Sequence, residues 1–427
     1  MRGAWTSRPR TRAVGGLAAA LAIGCSGGER ADSGWTGTVS DSAGITVVRN
    51  PATGLWPGGA EWRVVEDLVI GAVEGDPDYL FGAIAGVCVS SAGDIVVVDR
   101  QVGSVRVFDS GGHLARTFAG LGAGPGELGG TLAGCFVGPG DTIAIPDLQL
   151  YRVSRFLIDG TVVGAVPFDI GAGIPLRWAM RRDGRLLAQL RFGLLDPSRL
   201  GEADVLVAES PAGTLSDTAM QLPVHDAIRL TDTGARYTLL APQPVWTRSG
   251  DGSVWVYDGG AYRLIRYDAA GSPTTIVSRA IEPHAVGERD RALIALAIEQ
   301  TFPAALVSNV LGGVNVAAAL PFVFALATGP EGTLWAQRVR RPATAAGAGG
   351  DSLDIGPTDP ELFLADVTLR LGSPEWDVFD AEGRYLGVVT FPERFDAVRF
   401  RGDAVYGIWR DTLGVEYVKR LRIVRSE

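Results

Sequence analysis

One stretch of this chain occurs twice, 48 residues apart. Residues 85–114 (AGVCVSSAGDIVVVDRQVGSVRVFDSGGHL) and 133–162 (AGCFVGPGDTIAIPDLQLYRVSRFLIDGTV) align without a gap. Ala85, Gly86, Val89, Ile95, Asp99, Val105, Phe108 and Gly112 all meet identical residues. Each copy reads as an apolar strand, a Gly/Asp turn, a β-branched strand ending in Asp, a loop, and a third strand ending near an aromatic. A second turn and a short fourth strand follow. Four antiparallel strands with one apolar side cannot stand alone, so each copy must stack on its neighbours.

The pattern recurs in 251–273, where Asp258, Tyr267 and Gly271 take the places of Asp99, Phe108 and Gly112. Residues 331–337 with 375–392 form a copy split by an insertion, 182–190 with 204–223 a worn one, and 402–424 the last. Six copies predict an all-β fold, a six-bladed β-propeller of four-stranded antiparallel blades over residues 44–427. The last copy lacks a fourth strand, while 44–50 (GITVVRN) and 61–70 (EWRVVEDLVI) are strands without a blade. Ring closure by one of these N-terminal strands would remove an exposed sheet edge.

The segment AGLGAGPGELGG, residues 119–130, has the glycine density of a phosphate loop. A Walker loop needs Lys and then Ser or Thr after its glycines. Here Leu128 and Gly129 follow, and the only lysine of the chain is Lys419. The glycines instead suit a blade-to-blade crossover that demands positive φ. In Asp99, Val107, Phe108, Asp109, Gly112 and the run Gly122 to Glu127, the chain resembles the NHL-type six-bladed β-propellers. The resemblance implies the same ring architecture. It also implies a possible kinship with propellers that hold Ca²⁺ in the channel over a sugar, lactone or peptide.

The N-terminus reads as an address. Arg2, Arg8, Arg10 and Arg12 precede a short apolar run from Ala13 to Gly24, too short for a stable transmembrane helix. LAIGC resembles the bacterial lipobox, which makes 1–24 a lipoprotein signal peptide, Cys25 the lipidated residue and 25–43 a flexible tether. The expected location is the cell envelope, anchored to membrane through lipid only. Net charge is −9 with scattered arginines, which argues against nucleic acid as a partner.

Two stretches depart from the repeat. Residues 286–319 begin with helical spacing at Leu293, Leu296, Ile294 and Ile298 and then lose all charge, but Pro303, Gly312, Gly313 and Pro321 interrupt any span. A short helical insertion capping the channel or packing on its side is expected. Residues 339–374 open as an Ala/Gly/Pro loop, and Arg338, Arg340 and Arg341 form a basic cluster read as a solvated face.

Catalytic constellations are missing. His113, His225 and His284 stand apart, with no zinc spacing and no nucleophile elbow. Asp99, Asp147 and Asp258 each close a second strand on one rim and are the weak candidates for a metal, Ca²⁺ being the fitting ion. The favoured reading has each one accepting N–H bonds in its own turn. Cys88 and Cys135 are read as two buried free thiols in preference to a disulfide, because blade spacing strains the Cα separation a bond tolerates. The expected function is non-catalytic: a monomeric envelope lipoprotein that uses a propeller rim or channel to bind a protein or small ligand, with no cofactor. The alternative is a Ca-dependent hydrolase or lyase with its site in the central channel.

Overall fold

A computed structural model describes residues 34–425 apart from 170–172, 193–196, 200, 211–212, 224–227, 232–233 and 340–371. The expected signal peptide over residues 1–24, Cys25, His225, Arg340 and Arg341 lie outside the described residues. The described residues from Trp35 onward form one compact unit.

That unit is a six-bladed β-propeller. Blades one to six begin with the strands Ile84–Val89, Phe136–Val137, Ile174–Met180, Val245–Arg248, Val323–Thr328 and Phe395–Arg401. These first strands line the axis, touching one another around much of the ring. Each is followed outward by two to three antiparallel partners from its own copy. Strand content comes from β-branched residues on both faces. Ile95–Asp99 and Ser104–Phe108 of blade one are buried at every position, as befits strands sandwiched between neighbouring blades.

Ring closure follows the expected route. Arg63–Ile70 pairs antiparallel with Glu416–Val424 as the fourth strand of blade six. The other spare segment does something different: Ile45–Asn50 runs parallel to Pro273–Arg279 on the outer edge of blade four. Thr38–Ser42, which the sequence placed in the tether, pairs with it as a sixth strand of that sheet. An extra sheet of three strands, Ile228–Thr231, Gly234–Leu239 and Val314–Val316, lies outside the blade pattern.

The helical insertion is α1, Glu288–Thr301, and α2, Ala304–Gly313. The Asp290 carboxylate accepts from the Gly287 N–H and caps α1. Ile294, Ala297 and Ile298 face inward, whereas Leu296 is exposed. The pair packs on Leu239 and Leu240 at the end of the extra sheet's middle strand and on Phe324 and Val339 of blade five. It therefore sits beside blade five.

Cys88 and Cys135 form a disulfide, with Cα atoms 5.6 Å apart. The expectation of free thiols fails because the first strands of blades one and two approach more closely than blade spacing at the periphery suggests. A Cβ on Gly86 would meet the Cys135 nitrogen at 2.7 Å, and only glycine permits that approach.

Candidate functional site: the rim between blades four and five

The three candidate metal ligands are not brought together. Asp99 accepts from the backbone N–H groups of Gly82, Ala83 and Gln101, and Asp147 from those of Gly129, Gln149 and Leu150. Asp258 accepts from Gly260 N–H and pairs with Arg263. Among the described residues, no group of three or more His, Cys, Asp or Glu side chains could hold a metal. Glycine-rich 119–130 is likewise architecture. Glu127 accepts from Gly124 N–H, and Arg152 of blade two donates to the carbonyls of Ala123, Gly124 and Glu127.

The second and third strands carry a rule that single residues did not reveal. In blades one and four an Asp ending the second strand meets an Arg on the third: Asp99 with Arg106, Asp258 with Arg263. In blades three, five and six the order is reversed, as Arg191 with Asp204, Arg338 with Asp377, and Arg410 with Glu416. In these five blades the acid is one half of an ion pair across two strands, and either half can stand on either strand.

Blade five elaborates its pair into a cluster. Asp377 is fully buried, and its Oδ1 accepts from Arg338 Nε at 3.0 Å, Arg338 Nη2 at 2.8 Å and Tyr385 OH at 3.0 Å. Its Oδ2 accepts from Arg279 Nη1 at 2.8 Å and Tyr262 OH at 2.7 Å, both from blade four. Arg338 also reaches the half-exposed Glu375. Burial opposes the charge on Arg338, but the Asp377 carboxylate outweighs it and holds the guanidinium above its usual basicity. Burial, reinforced by the Asp377 charge, pushes the Tyr385 hydroxyl up to about 12 and Tyr262 well above the usual tyrosine value.

Two guanidinium groups thus share one buried carboxylate, and the Arg279 Nε, also buried, has no hydrogen-bond partner among the described residues. Arg279 lies over the Tyr385 ring at 3.6 Å and donates from Nη2 to Ala52 O. Above this cluster opens a cavity of about 220 Å³. Its apolar wall is Ile281, Leu320, Pro321, Phe322 and Val339; its polar floor is Arg279, Arg338, Asp377 and Tyr262, with Glu282 and His284 at the side. Small-molecule clefts commonly measure about 300–1,000 Å³, so this one suits a small occupant.

Of the residues singled out from sequence, Arg338 and His284 are at this cavity. Arg338 is half of the cluster and not part of a solvated face. His113 is exposed and contacts Asp109 in its own turn. Arg279, Asp377, Tyr262 and Tyr385 carried no motif. The one available signal was Arg338 standing where the aligned copies carry Asp.

No known protein-family profile matches the chain, and no curated protein matches it. Solved structures do resemble it. A member of the DUF4221 family from Bacteroides vulgatus aligns at TM-score 0.50 and 10% identity, over 86% of this chain and 99% of that one. Virginiamycin B lyase from Staphylococcus aureus aligns at 0.44 and 10%, over 85% and 100%. Regucalcin, a calcium-binding protein from Agrobacterium tumefaciens, aligns at 0.40 and 10%, over 86% and 96%. At such identities the likeness concerns the fold. Among the described residues no helix is long and apolar enough to cross a membrane.

Proposed function

We propose that this chain is an exported, lipid-anchored propeller that binds, without catalysis, a small molecule with an apolar body and one acidic group. The observation that carries this reading is the cavity whose floor holds two arginines on a single buried carboxylate, one of them with an unpartnered N–H. An acidic group would meet guanidinium edges there, while the apolar wall would take the rest of the ligand. Export and anchoring rest on the basic N-terminus, the short apolar run and the lipobox-like sequence before Cys25. The Cys88–Cys135 bond fits an oxidising compartment. Kinship with NHL-type propellers rests on the stretches around Val107–Asp109 and Gly122–Glu127.

Calorimetric titration with a panel of small apolar carboxylates tests the binding. Saturable binding to the wild type, lost in Leu320→Trp, which fills the cavity, and kept in Arg422→Gln on the surface, is expected. Absence of binding across the panel, or equal binding by Leu320→Trp, would overturn it. Labelling cells with a radioactive fatty acid tests the anchor separately: label should enter the wild type and not Cys25→Ala.

A further inference from the structure

A segment outside the six copies crosses the joint in which the cavity lies. Ile45–Asn50 runs along the outer edge of blade four. The chain then leaves that edge and reaches the outer strand of blade five, Tyr385–Thr390. Leu55 N–H donates to Tyr385 O at 3.1 Å, and Trp56 N–H to Leu386 O at 2.8 Å. A Cβ on Gly54 would meet the Leu386 oxygen at 2.4 Å, so only glycine lets the two backbones come that close. Residues 50–56 are therefore a strap, fastened to blade four at one end and to blade five at the other.

Asn50 is the fastening on the blade-four side, and it is 3% exposed. Its Oδ1 accepts from Tyr385 N–H at 2.7 Å and from Trp35 Nε1 at 3.1 Å, and its Nδ2 donates to Gly383 O at 2.9 Å. Its backbone carbonyl accepts from Ala280 N–H at 3.2 Å. One buried side chain thus bonds in three directions, twice to blade five.

These partners lead directly to the cavity floor. Ala280 follows Arg279 in the chain. Tyr385, held by Asn50 through its backbone N–H, donates through its hydroxyl to Asp377 at 3.0 Å. Two residues past Asn50, the Ala52 carbonyl accepts from Arg279 Nη2 at 2.7 Å. Among the described residues, the Arg279 side chain has two hydrogen-bond partners, Asp377 of blade five and Ala52 of the strap. The guanidinium is therefore gripped from both sides, and one of the two grips lies outside the blades.

We propose that Asn50 is the positioning residue of this site. It locks the strap, and the strap holds Arg279 through Ala52, so that the floor is set for a carboxylate before one arrives. Groups ordered in advance bind more tightly, because the ligand does not bear the cost of ordering them. The proposal rests on the reading of the cavity as a carboxylate site. It adds that strap docking and ligand binding reinforce each other, since linked equilibria act reciprocally. Trp35, within the expected tether, is bonded to the same Asn50 oxygen, so the segment that follows Cys25 enters the protein at its ligand site.

The test compares the full chain with Asn50→Ala and with Trp35→Phe, the second a milder change that removes one hydrogen bond to Asn50. One measurement needs no ligand. Phenylglyoxal modification of Arg279, read by peptide mass spectrometry, should run about tenfold faster in Asn50→Ala than in wild type and rise by a smaller factor in Trp35→Phe. The exposed Arg422 should react at one rate in all three. Equal rates at Arg279 in wild type and both variants would overturn the positioning role, whatever the cavity binds. The other measurement uses the apolar carboxylate that wild type binds most tightly. Its dissociation constant should rise about tenfold in Asn50→Ala. Its binding should also slow hydrogen exchange at the Leu55 and Trp56 amides of wild type, which an Asn50 serving stability alone would not produce. Unchanged affinity in both variants, or exchange at those amides that the ligand leaves unaltered, would overturn the coupling. If no carboxylate binds wild type, the reading of the cavity falls, and the reactivity of Arg279 still decides whether Asn50 positions it. Should Asn50→Ala fail to fold, Trp35→Phe carries both measurements, with smaller shifts in the same directions.

Discussion

Arg338 and Asp377 meet at 2.8 Å in blade five, in the register positions that Asp99 and Arg106 hold in blade one. The charges are exchanged while the geometry is kept. Among the described residues, five of the six blades carry an ion pair between second and third strands, and the sign of each partner is free. In blade five the carboxylate, Asp377, also meets Arg279 and Tyr262 of blade four.

Asp377→Asn leaves Arg279 and Arg338 close together without their shared counter-charge. Breaking a buried pair by removing one partner costs about 3–5 kcal/mol, and denaturant unfolding should record a loss of that size. Asp99→Ala frees three backbone N–H groups and also removes the partner carboxylate of the buried Arg106. It should cost a similar amount, about 3–5 kcal/mol.

The covalent link between blades one and two closes a loop of 47 residues. Chain-entropy arguments assign such a bond about 4 kcal/mol. Thiol titration of the denatured, unreduced protein should find no free thiol from Cys88 or Cys135. Unfolding in the presence of dithiothreitol should shift to lower denaturant.

Removing residues 1–71 deletes Arg63–Ile70 and exposes the edge of Glu416–Val424. A bare edge strand recruits other chains, so this truncation should aggregate in size-exclusion chromatography. Removing residues 1–43 takes only the outermost strand of a six-stranded sheet. That protein should remain soluble and melt cooperatively.

Alkaline pH should weaken the fold in a defined window. Burial raises Tyr257 and Tyr385 to about 12, against an unfolded value near 10. The unfolded chain therefore gives up these protons first. Their contribution to stability is complete below about pH 10 and is lost as pH rises through about 12. Melting temperature followed from pH 9 to 12 should fall across that interval, alongside tyrosinate absorbance. Tyr385→Phe should flatten the decline.

The ring of six, its closing strand and the helical insertion are legible in the linear order. Period, apolar alternation and turn residues act over a few neighbours, and a 48-residue repeat states them twice. Strand ends marked by Asp99, Asp147 and Asp258 were found for the same reason, whereas the N–H groups that Asp99 and Asp147 accept from residues 16–18 positions earlier were not. The disulfide was not, because it depends on how closely two first strands approach where Gly86 removes a side chain.

Sequence alone determined that the chain must stack thin sheets around an axis, since no single copy has enough apolar surface to fold by itself. Only the tertiary structure decided which charges meet. Arg279 and Asp377 are 98 residues apart, and Tyr262 and Asp377 are 115 apart. Local pattern carries no record of such encounters, because they are set by the angle between blades and by the side chains that neighbouring blades omit.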